Sequence, residues 1–250
     1  METADLIRAQ LETVRGARVF FAHHSVGQNL LDGVQALSSR AGVPLKIAPL
    51  TDAGVPGPVW LEGSGGRNKD PRSKMDDFGA RLTGPSPLDV DLAFLKLCYV
   101  DFHPRTDVEG LFACYHDAMM ALRRQRPEVT FGHVTVPLTA RPRDLKSRVR
   151  RALGLEVWED AANARRCEFN QRLRQRFSHQ PLFDLARAEA TRPDGTTQSF
   201  RLDGVAYASL VPSYTDDGGH PNALGQRHLG SAFLAFVAGA LQGRAAPSSP

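Results

Sequence analysis

The sequence predicts an α/β fold, in which a doubly wound, mainly parallel sheet is flanked by helices. Short apolar runs of strand type alternate along the chain with segments whose apolar residues recur at three- and four-residue steps. Such alternation is typical of parallel α/β sheets. The chain has 250 residues, of which 42% are hydrophobic and 23% charged. This length and composition predict a single domain with a sizeable core.

The first predicted strand covers residues 19 to 22 and ends at His23-His24-Ser25. A helical apolar spacing precedes it over residues 4 to 14. After it, apolar residues at positions 26, 30, 31, 34 and 37 predict a helix from 26 to about 40. Ser25 therefore lies between a strand and a helix.

The later part of the chain repeats this alternation. Strands are predicted at residues 45–50, 92–100, 130–136 and, more weakly, 181–185, and helices at residues 108–125, 159–177 and 223–241. Residues 51–77 and 191–219 lack periodicity and are predicted to be long loops, which in compact domains tend to be functional. Residues 243–250 are predicted to be a disordered tail, so the domain spans residues 1–242.

Composition argues against several classes of partner. The net charge of +4 comes mostly from arginines, but carboxylates are interspersed among them, which indicates a solvated surface and no nucleic-acid site. The three cysteines form no C-x-x-C pair, so neither a disulfide framework nor a cysteine zinc site is indicated. The polar N-terminus and the lack of an 18-residue apolar run lead us to expect a cytoplasmic protein with no membrane partner. The oligomeric state stays open.

Ser25 is the candidate nucleophile. In parallel sheets ligands bind at the carboxyl ends of the strands, where Ser25, the loop after Leu50 and Asp101 all fall. A serine hydroxyl needs a base to take its proton and donors to hold the oxyanion, and the N–H groups at the start of the following helix can supply donors. Taken alone, a serine in this position is more often a helix N-cap.

His220 is the candidate base. It follows Asp217 by three residues in the segment Asp217-Gly218-Gly219-His220, immediately before the last predicted helix. This spacing lets the carboxylate bind Nδ1 of the imidazole and leave Nε2 free to accept a proton. A glycine-rich turn with Asn222 as helix cap is compatible with the same pattern, but it does not account for the Asp and the His.

These motifs together resemble the SGNH, or GDSL-type, hydrolase superfamily. The resemblance rests on a strand-end serine near the N-terminus, a central strand followed by Asp, and a D-x-x-H-P-N segment before the final helix. It implies a flavodoxin-like three-layer sandwich, a Ser25-His220-Asp217 triad, an acyl-enzyme and no cofactor. Where the superfamily has Gly-Asp-Ser, this chain has His23-His24-Ser25-Val26-Gly27.

The oxyanion hole departs further from the superfamily pattern. Its G-x-N-D block corresponds to Cys98-Tyr99-Val100-Asp101, in which valine replaces the asparagine that donates to the oxyanion. We expect replacement donors from the N–H of Ser25, from the side chain of Asn68, and from one of three loop glycines, Gly63, Gly65 and Gly66. Asn68 is equally compatible with merely shaping a turn.

Other residues are weaker candidates. We expect that the pocket is lined by His24, Tyr99, Asp101 and Tyr214, although most aromatic residues simply fill the core. The histidines and Asp217 are of types that bind zinc, but no tight ligand spacing supports a metal, and we expect none.

The sequence thus predicts a serine hydrolase that cleaves a small-molecule or saccharide ester. Two alternatives stay open at this point. One is an acyltransferase that moves an acyl group to a sugar or small-molecule hydroxyl with the same site. The other is a non-catalytic carbohydrate- or partner-binding module, for which Val100 and His24 would mark lost chemistry.

Overall fold

The structure is a computed structural model that describes residues 3–50 and 57–245. Six strands form one parallel sheet in the order β2-β3-β1-β4-β5-β6. The strands of this sheet are β1 Val19–Ala22, β2 Ile47–Pro49, β3 Trp60–Gly63, β4 Leu92–Leu95, β5 Thr130–Val134 and β6 Leu182–Phe183. The predicted fold class is confirmed.

Helices cover both faces of the sheet. They are α1 Thr3–Val14, α2 Val26–Ala41, α3 Pro71–Thr83, α4 Val108–Gln125, α5 Leu145–Ala152, α6 Trp158–Arg176, α7 Leu185–Ala190 and α8 Ala223–Ala245. One core lies between the sheet and α1, α2 and α8, and the other lies between the sheet and α3, α4 and α6. None of the helices in the described part of the chain is long and apolar enough to cross a bilayer.

Several boundaries differ from the sequence prediction. The predicted loop 51–77 contains β3 and the start of α3, and the predicted loop 191–219 contains an antiparallel hairpin, β7 Ser199–Leu202 and β8 Val205–Ala208. The strand predicted at 92–100 ends at Leu95, and a 3-10 helix follows at Tyr99–Asp101. Helix α8 continues through residue 245, so residues 243–245 are helical, and residues 246–250 of the predicted tail lie outside the described residues.

The order of the strands reverses at β1, because successive strands are added first on one side of β1 and then on the other. Strands β2 and β3 lie on one side of it, and β4, β5 and β6 lie on the other. The crevice at the carboxyl ends of β1 and β4 is therefore the topological switch point, where α/β sheets bind ligands. Ser25 follows β1, and the segment Cys98-Tyr99-Val100-Asp101 follows β4.

Helices α2 and α8 pack together through glycines. This contact fixes the position of the helix that follows Ser25 relative to the helix that follows His220. Ser25 immediately precedes α2, and His220 lies three residues before α8. A Cβ atom on Gly33 would lie 2.2 Å from the backbone oxygen of Gln226, and one on Gly230 would lie 2.7 Å from the backbone of Gly33. Only glycine allows so close an approach, so these two residues set the spacing between the helices.

Candidate functional site

Ser25 adopts a strained backbone conformation at the end of β1. Its φ is 36° and its ψ −87°, values that non-glycine residues rarely adopt and that cost on the order of 1–3 kcal/mol. It occupies the N-cap position of α2, but its side chain makes no capping hydrogen bond, so the N-cap interpretation does not account for the hydroxyl. The residue is exposed. Strain at an exposed, polar strand end is typical of a functional site.

The turn after Ser25 depends on Gly27. A Cβ atom there would lie 2.3 Å from Cβ of His23, so a larger residue would displace the end of β1. The N–H of Gly27 donates to the carbonyl of His24 at 3.0 Å, and the N–H of Asn29 donates to the carbonyl of Ser25 at 3.2 Å. The chain thus enters the helix within two residues of the serine.

Asp217 and His220 form a hydrogen-bonded pair within a single turn. Oδ2 of Asp217 lies 2.6 Å from Nδ1 of His220, while Oδ1 accepts from the backbone N–H groups of Gly219 and His220, both at 2.8 Å. Although burial alone would raise it, the hydrogen bonds from His220 and Gly219 hold the pKa of Asp217 well below its usual range. The carboxylate therefore stays ionised and favours the tautomer in which Nδ1 carries the proton.

Tyr99 contacts the other nitrogen of the same imidazole. Its hydroxyl lies 3.3 Å from Nε2 of His220, and because Nδ1 carries the proton, the hydroxyl donates to Nε2. The two rings meet edge to face, with centroids 5.6 Å apart. Nε of Arg166 donates to the carbonyl of Tyr99 at 3.1 Å and so holds the backbone of Tyr99 in place. Burial, followed by the charge of Asp217, raises the pKa of the Tyr99 phenol, so it remains a donor.

The glycine-rich loop lies against the end of β1. The N–H of His23 donates to the carbonyl of Gly63 at 3.0 Å, and Nε2 of His24 donates to the carbonyl of Gly65 at 3.0 Å. Gly66 has a φ of +65°, and a Cβ there would lie 2.4 Å from the backbone nitrogen of Lys74. His24 therefore tethers the loop that carries the expected oxyanion donors.

Asn68 is exposed, and its side chain is held at one end. Its Oδ1 accepts from Nζ of Lys74 at 3.0 Å, which directs the amide nitrogen away from the lysine and leaves it as a donor. The assignment of Asn68 and the loop glycines to the oxyanion hole stays a prediction.

Asp101 does not line a pocket, contrary to the sequence expectation. Its side chain is completely buried and accepts from Nζ of Lys74 at 2.9 and 2.7 Å. It also accepts from the backbone N–H of Lys69 at 2.9 Å and from that of Cys98 at 2.7 Å. Asp101 therefore joins the glycine-rich loop to the segment after β4.

Tyr214 also differs from the expectation. It is 1% exposed, its hydroxyl donates to the carbonyl of Thr191 at 3.0 Å, and its ring stacks on His228. It belongs to a small core that α7 forms with the segment after β5 and the segment after β8, so its ring does not line a pocket. Among the four expected pocket residues, Tyr99 is hydrogen-bonded to His220 of the Asp217–His220 pair.

His23 is buried beneath the site. Burial, followed by the positive charge of Lys96, lowers its pKa to about 3, so the ring is neutral at ordinary pH. Its Nε2 lies 3.2 Å from Oε2 of Glu62, but the alignment is too poor for a hydrogen bond. Within residues 3–50 and 57–245, no three side chains of His, Cys, Asp or Glu are grouped as metal ligands.

A cavity of about 420 Å³ opens beside Asp217 and Tyr99, and neither Ser25 nor His220 is among the residues that line it. The cavity is lined by the turn that contains Asp217, by the segment after β5 and by the ring of Tyr99. The lining residues include Tyr99, Thr139, Arg141, Arg143, Glu159 and Asp217. The cavity is large enough for a small acyl group or a sugar ring and has both aromatic and charged walls.

Sequence reasoning missed two supporting residues. Lys74 occupies a buried position in α3, a helix inside a segment predicted to be loop, so its pairing with Asp101 was not foreseen. Arg166 is buried in α6, where a run of arginines indicated a solvated surface. The dipeptide Asp70-Pro71 was the available signal for α3, because Asp caps helices and proline favours their first turn.

The comparisons with known proteins give a consistent fold. No protein-family profile and no curated protein sequence matches the chain. A carbohydrate esterase family 3 structure from Talaromyces cellulolyticus aligns with a TM-score of 0.53 at 14% identity, over 91% of this chain and 99% of that one. A mutant acetyl esterase with an acetate ion aligns with a TM-score of 0.52 at 13% identity, over 91% of this chain and 99% of that one.

A third structure, a protein from Bacteroides fragilis NCTC 9343 classed as an acylhydrolase, aligns with a TM-score of 0.51 at 14% identity, over 97% of this chain and 98% of that one. Similarity at such low identity shows the fold. The chain therefore shares the α/β fold of these esterase and acylhydrolase structures, in a divergent sequence.

Proposed function

We propose that this protein hydrolyses carboxylic esters, with Ser25 as nucleophile, His220 as base and Asp217 as the group that orients the base. The observation that carries the proposal is the 2.6 Å contact between Asp217 and Nδ1 of His220, which leaves Nε2 as the proton acceptor. The strained, uncapped serine at the switch point of the sheet supports it. The esterases of similar fold agree with this reaction class.

The reaction runs in two halves. Nε2 of His220 removes the proton of Ser25 while the serine oxygen attacks the ester carbonyl, and the resulting oxyanion accepts hydrogen bonds from backbone N–H groups and from Asn68. The C–O bond to the alcohol then breaks, and the imidazolium protonates the leaving alkoxide. Water, deprotonated by the same nitrogen, attacks the acyl-enzyme and releases the acid, and the serine regains its proton.

Tyr99 occupies Nε2 in the free protein. Its hydroxyl must therefore release Nε2 when the serine proton is transferred. Until then the hydrogen bond holds the imidazole in place, so Tyr99 acts as a positioning residue. The cost of releasing it is about 1 kcal/mol, the usual net value of such a hydrogen bond.

Hydrolysis is favoured over acyl transfer by exposure of the base. The side chain of His220 is 40% exposed, so water can reach Nε2 once the Tyr99 hydroxyl has released it. The cavity beside Tyr99 fits a small-molecule or saccharide ester, and the carbohydrate esterase of similar fold agrees with the second of these.

The test is Ser25→Ala, assayed with a short-chain aryl ester and with a fluorophosphonate probe. We expect loss of turnover by at least about 10³-fold and loss of labelling, because no other group is proposed to form the acyl-enzyme. Ser86→Ala is the matched control, since Ser86 is an exposed serine in a turn before β4. Full labelling of the Ser25→Ala protein would refute the nucleophile, and equal loss in Ser86→Ala would indicate a general effect on folding.

A further inference from the structure

Helix α5 exposes an unusual apolar surface. Leu145, Val149 and Leu153 are 74%, 47% and 68% exposed, and no residue of α5 is buried. These three residues recur every four positions and so lie on one face, which we call the apolar stripe. Leu155 and Trp158, both about half exposed, follow closely in the sequence. Five large exposed apolar side chains within 14 residues exceed the scattered pattern of an ordinary surface.

The helix is oriented so that the stripe faces away from the protein. Arg151 lies about 160° around the helix from Val149 at 100° per residue. Nε of Arg151 donates to Asp160 at 2.6 Å, and its NH1 group donates to the carbonyl of Pro142 at 2.8 Å. Because Arg151 holds α5 to the body of the protein, the opposite face points into solvent.

Positive charge flanks the stripe on both sides. Lys146 and Arg150 lie on one side of Val149 and Arg148 lies on the other. Residues 145 to 155 contain four cationic residues and no carboxylate. An apolar stripe bordered by cations is the arrangement by which helices lie in the plane of an anionic lipid surface.

We propose that α5 docks this protein on anionic lipid membranes, with the apolar stripe among the acyl chains and the flanking cations among the lipid phosphates. The geometry is less suited to a protein partner. A helix of eight residues spans about 12 Å, and the stripe offers far less than the roughly 800 Å² per partner that a stable protein interface buries. A lipid surface needs no such complementary area.

Docking in this way orients the candidate site. Residues 141 to 143 lie just before α5, and Arg141 and Arg143 line the cavity beside Asp217 and Tyr99. The cavity would then lie close to the lipid surface. Such docking differs from the expected absence of a membrane partner, and it does not depend on the proposed reaction.

The test is sedimentation of the full chain with sucrose-loaded vesicles. We expect binding to vesicles of equal parts phosphatidylglycerol and phosphatidylcholine, weakening at roughly 0.5 M salt, and little binding to pure phosphatidylcholine. In Leu145→Glu/Val149→Glu, affinity falls by more than about tenfold, because each apolar side chain loses its burial. In Lys146→Glu/Arg148→Glu the preference for the anionic vesicles disappears. Leu6→Glu, at a residue 44% exposed on α1, is the control and binds as wild type.

Control measurements separate a loss of docking from a loss of folding. Circular dichroism and turnover of a soluble aryl ester without vesicles should be unchanged in all these variants, because the altered residues lie outside the proposed machinery. Failure of the wild type to bind anionic vesicles would overturn the inference and leave the proposed hydrolysis untouched. Conversion of a dimer to a monomer by Leu145→Glu/Val149→Glu, seen by analytical ultracentrifugation, would also overturn it and assign the stripe to a second copy of the chain.

Discussion

Substitution of Gly33 tests whether the glycine contact between α2 and α8 sets the position of Ser25 relative to His220. In Gly33→Ala, the new Cβ would lie 2.2 Å from the backbone oxygen of Gln226. Ordinary contacts between such atoms are about 3.5 Å, so the helices must separate by about 1 Å. Overpacking of this kind costs about 1–3 kcal/mol of the free energy of unfolding.

The same displacement should reduce catalysis. Ser25 moves with α2 and His220 with α8, and a misplacement of about 1 Å between reacting groups lowers turnover on the order of 10²-fold. Urea denaturation followed by circular dichroism measures the stability, and turnover of an aryl ester well below the denaturation midpoint measures the alignment.

Gly239→Ala is the matched control for Gly33→Ala. Gly239 lies on α8, and a Cβ there would have no atom within 4 Å. Alanine should therefore stabilise that helix by up to about 1 kcal/mol through its higher helix propensity and leave turnover unchanged. If Gly33→Ala were as stable and as active as Gly239→Ala, the glycine contact would not set the geometry of the site.

Three further predictions concern the buried and catalytic charges. Lys74→Met leaves the carboxylate of Asp101 buried without its cation and should lower the free energy of unfolding by about 3–5 kcal/mol in urea, and a loss below about 1 kcal/mol would contradict the structural role of the pair. Asp217→Asn should lower kcat by on the order of 10⁴-fold with unchanged circular dichroism, because an amide does not hold the required tautomer of His220; a loss under about tenfold would argue against the triad. Burial lowers the pKa of His133 to about 4, so the folded protein resists a protonation that the unfolded chain accepts below 6.5, and stability falls as pH falls through this window. Between about pH 7 and 5 the wild type should lose about 2 kcal/mol more than His133→Gln in urea titrations, and equal losses would contradict the assignment.

The fold could be predicted from the sequence where a buried face produces a regular repeat of apolar residues. Strand β1 is buried along its whole length and α2 has a regular apolar face, so the position of Ser25 between them followed from the residues alone. The pairing of Asp217 with His220 could equally be predicted, because the two residues are three positions apart in a single turn and no tertiary contact is needed to bring them together.

Other elements have sequence patterns that are too short or too irregular for periodicity to reveal them. Strand β3 has four residues and follows a stretch of glycine and proline, so no window of useful length shows its period. The hairpin of β7 and β8 had a readable signal that periodicity alone does not capture. Asp203 and Gly204 both have positive φ, and Asp-Gly between two short strands is typical of a type I′ turn.

The supporting contacts of the site depend on tertiary structure. The ion pair of Lys74 with Asp101 joins residues 27 positions apart, and the hydrogen bond of Tyr99 with His220 joins residues 121 apart. A sequence alone records neither distance. The sequence does show valine at position 100 in place of the asparagine, so the missing donor must come from elsewhere, and its replacement by the glycine-rich loop and Asn68 stays a prediction.

The two edge strands of the sheet bear on how the protein resists aggregation. Unpaired edges of a sheet can recruit strands from other molecules. Here the described edges are short, three residues in β2 and two in β6. Since the N–H of Leu50 donates inward to Glu62, the nitrogen of Pro49 faces outward, where proline has no hydrogen to offer another strand. The sheet can thus keep its carboxyl end open to ligands while its sides offer little for another chain to extend.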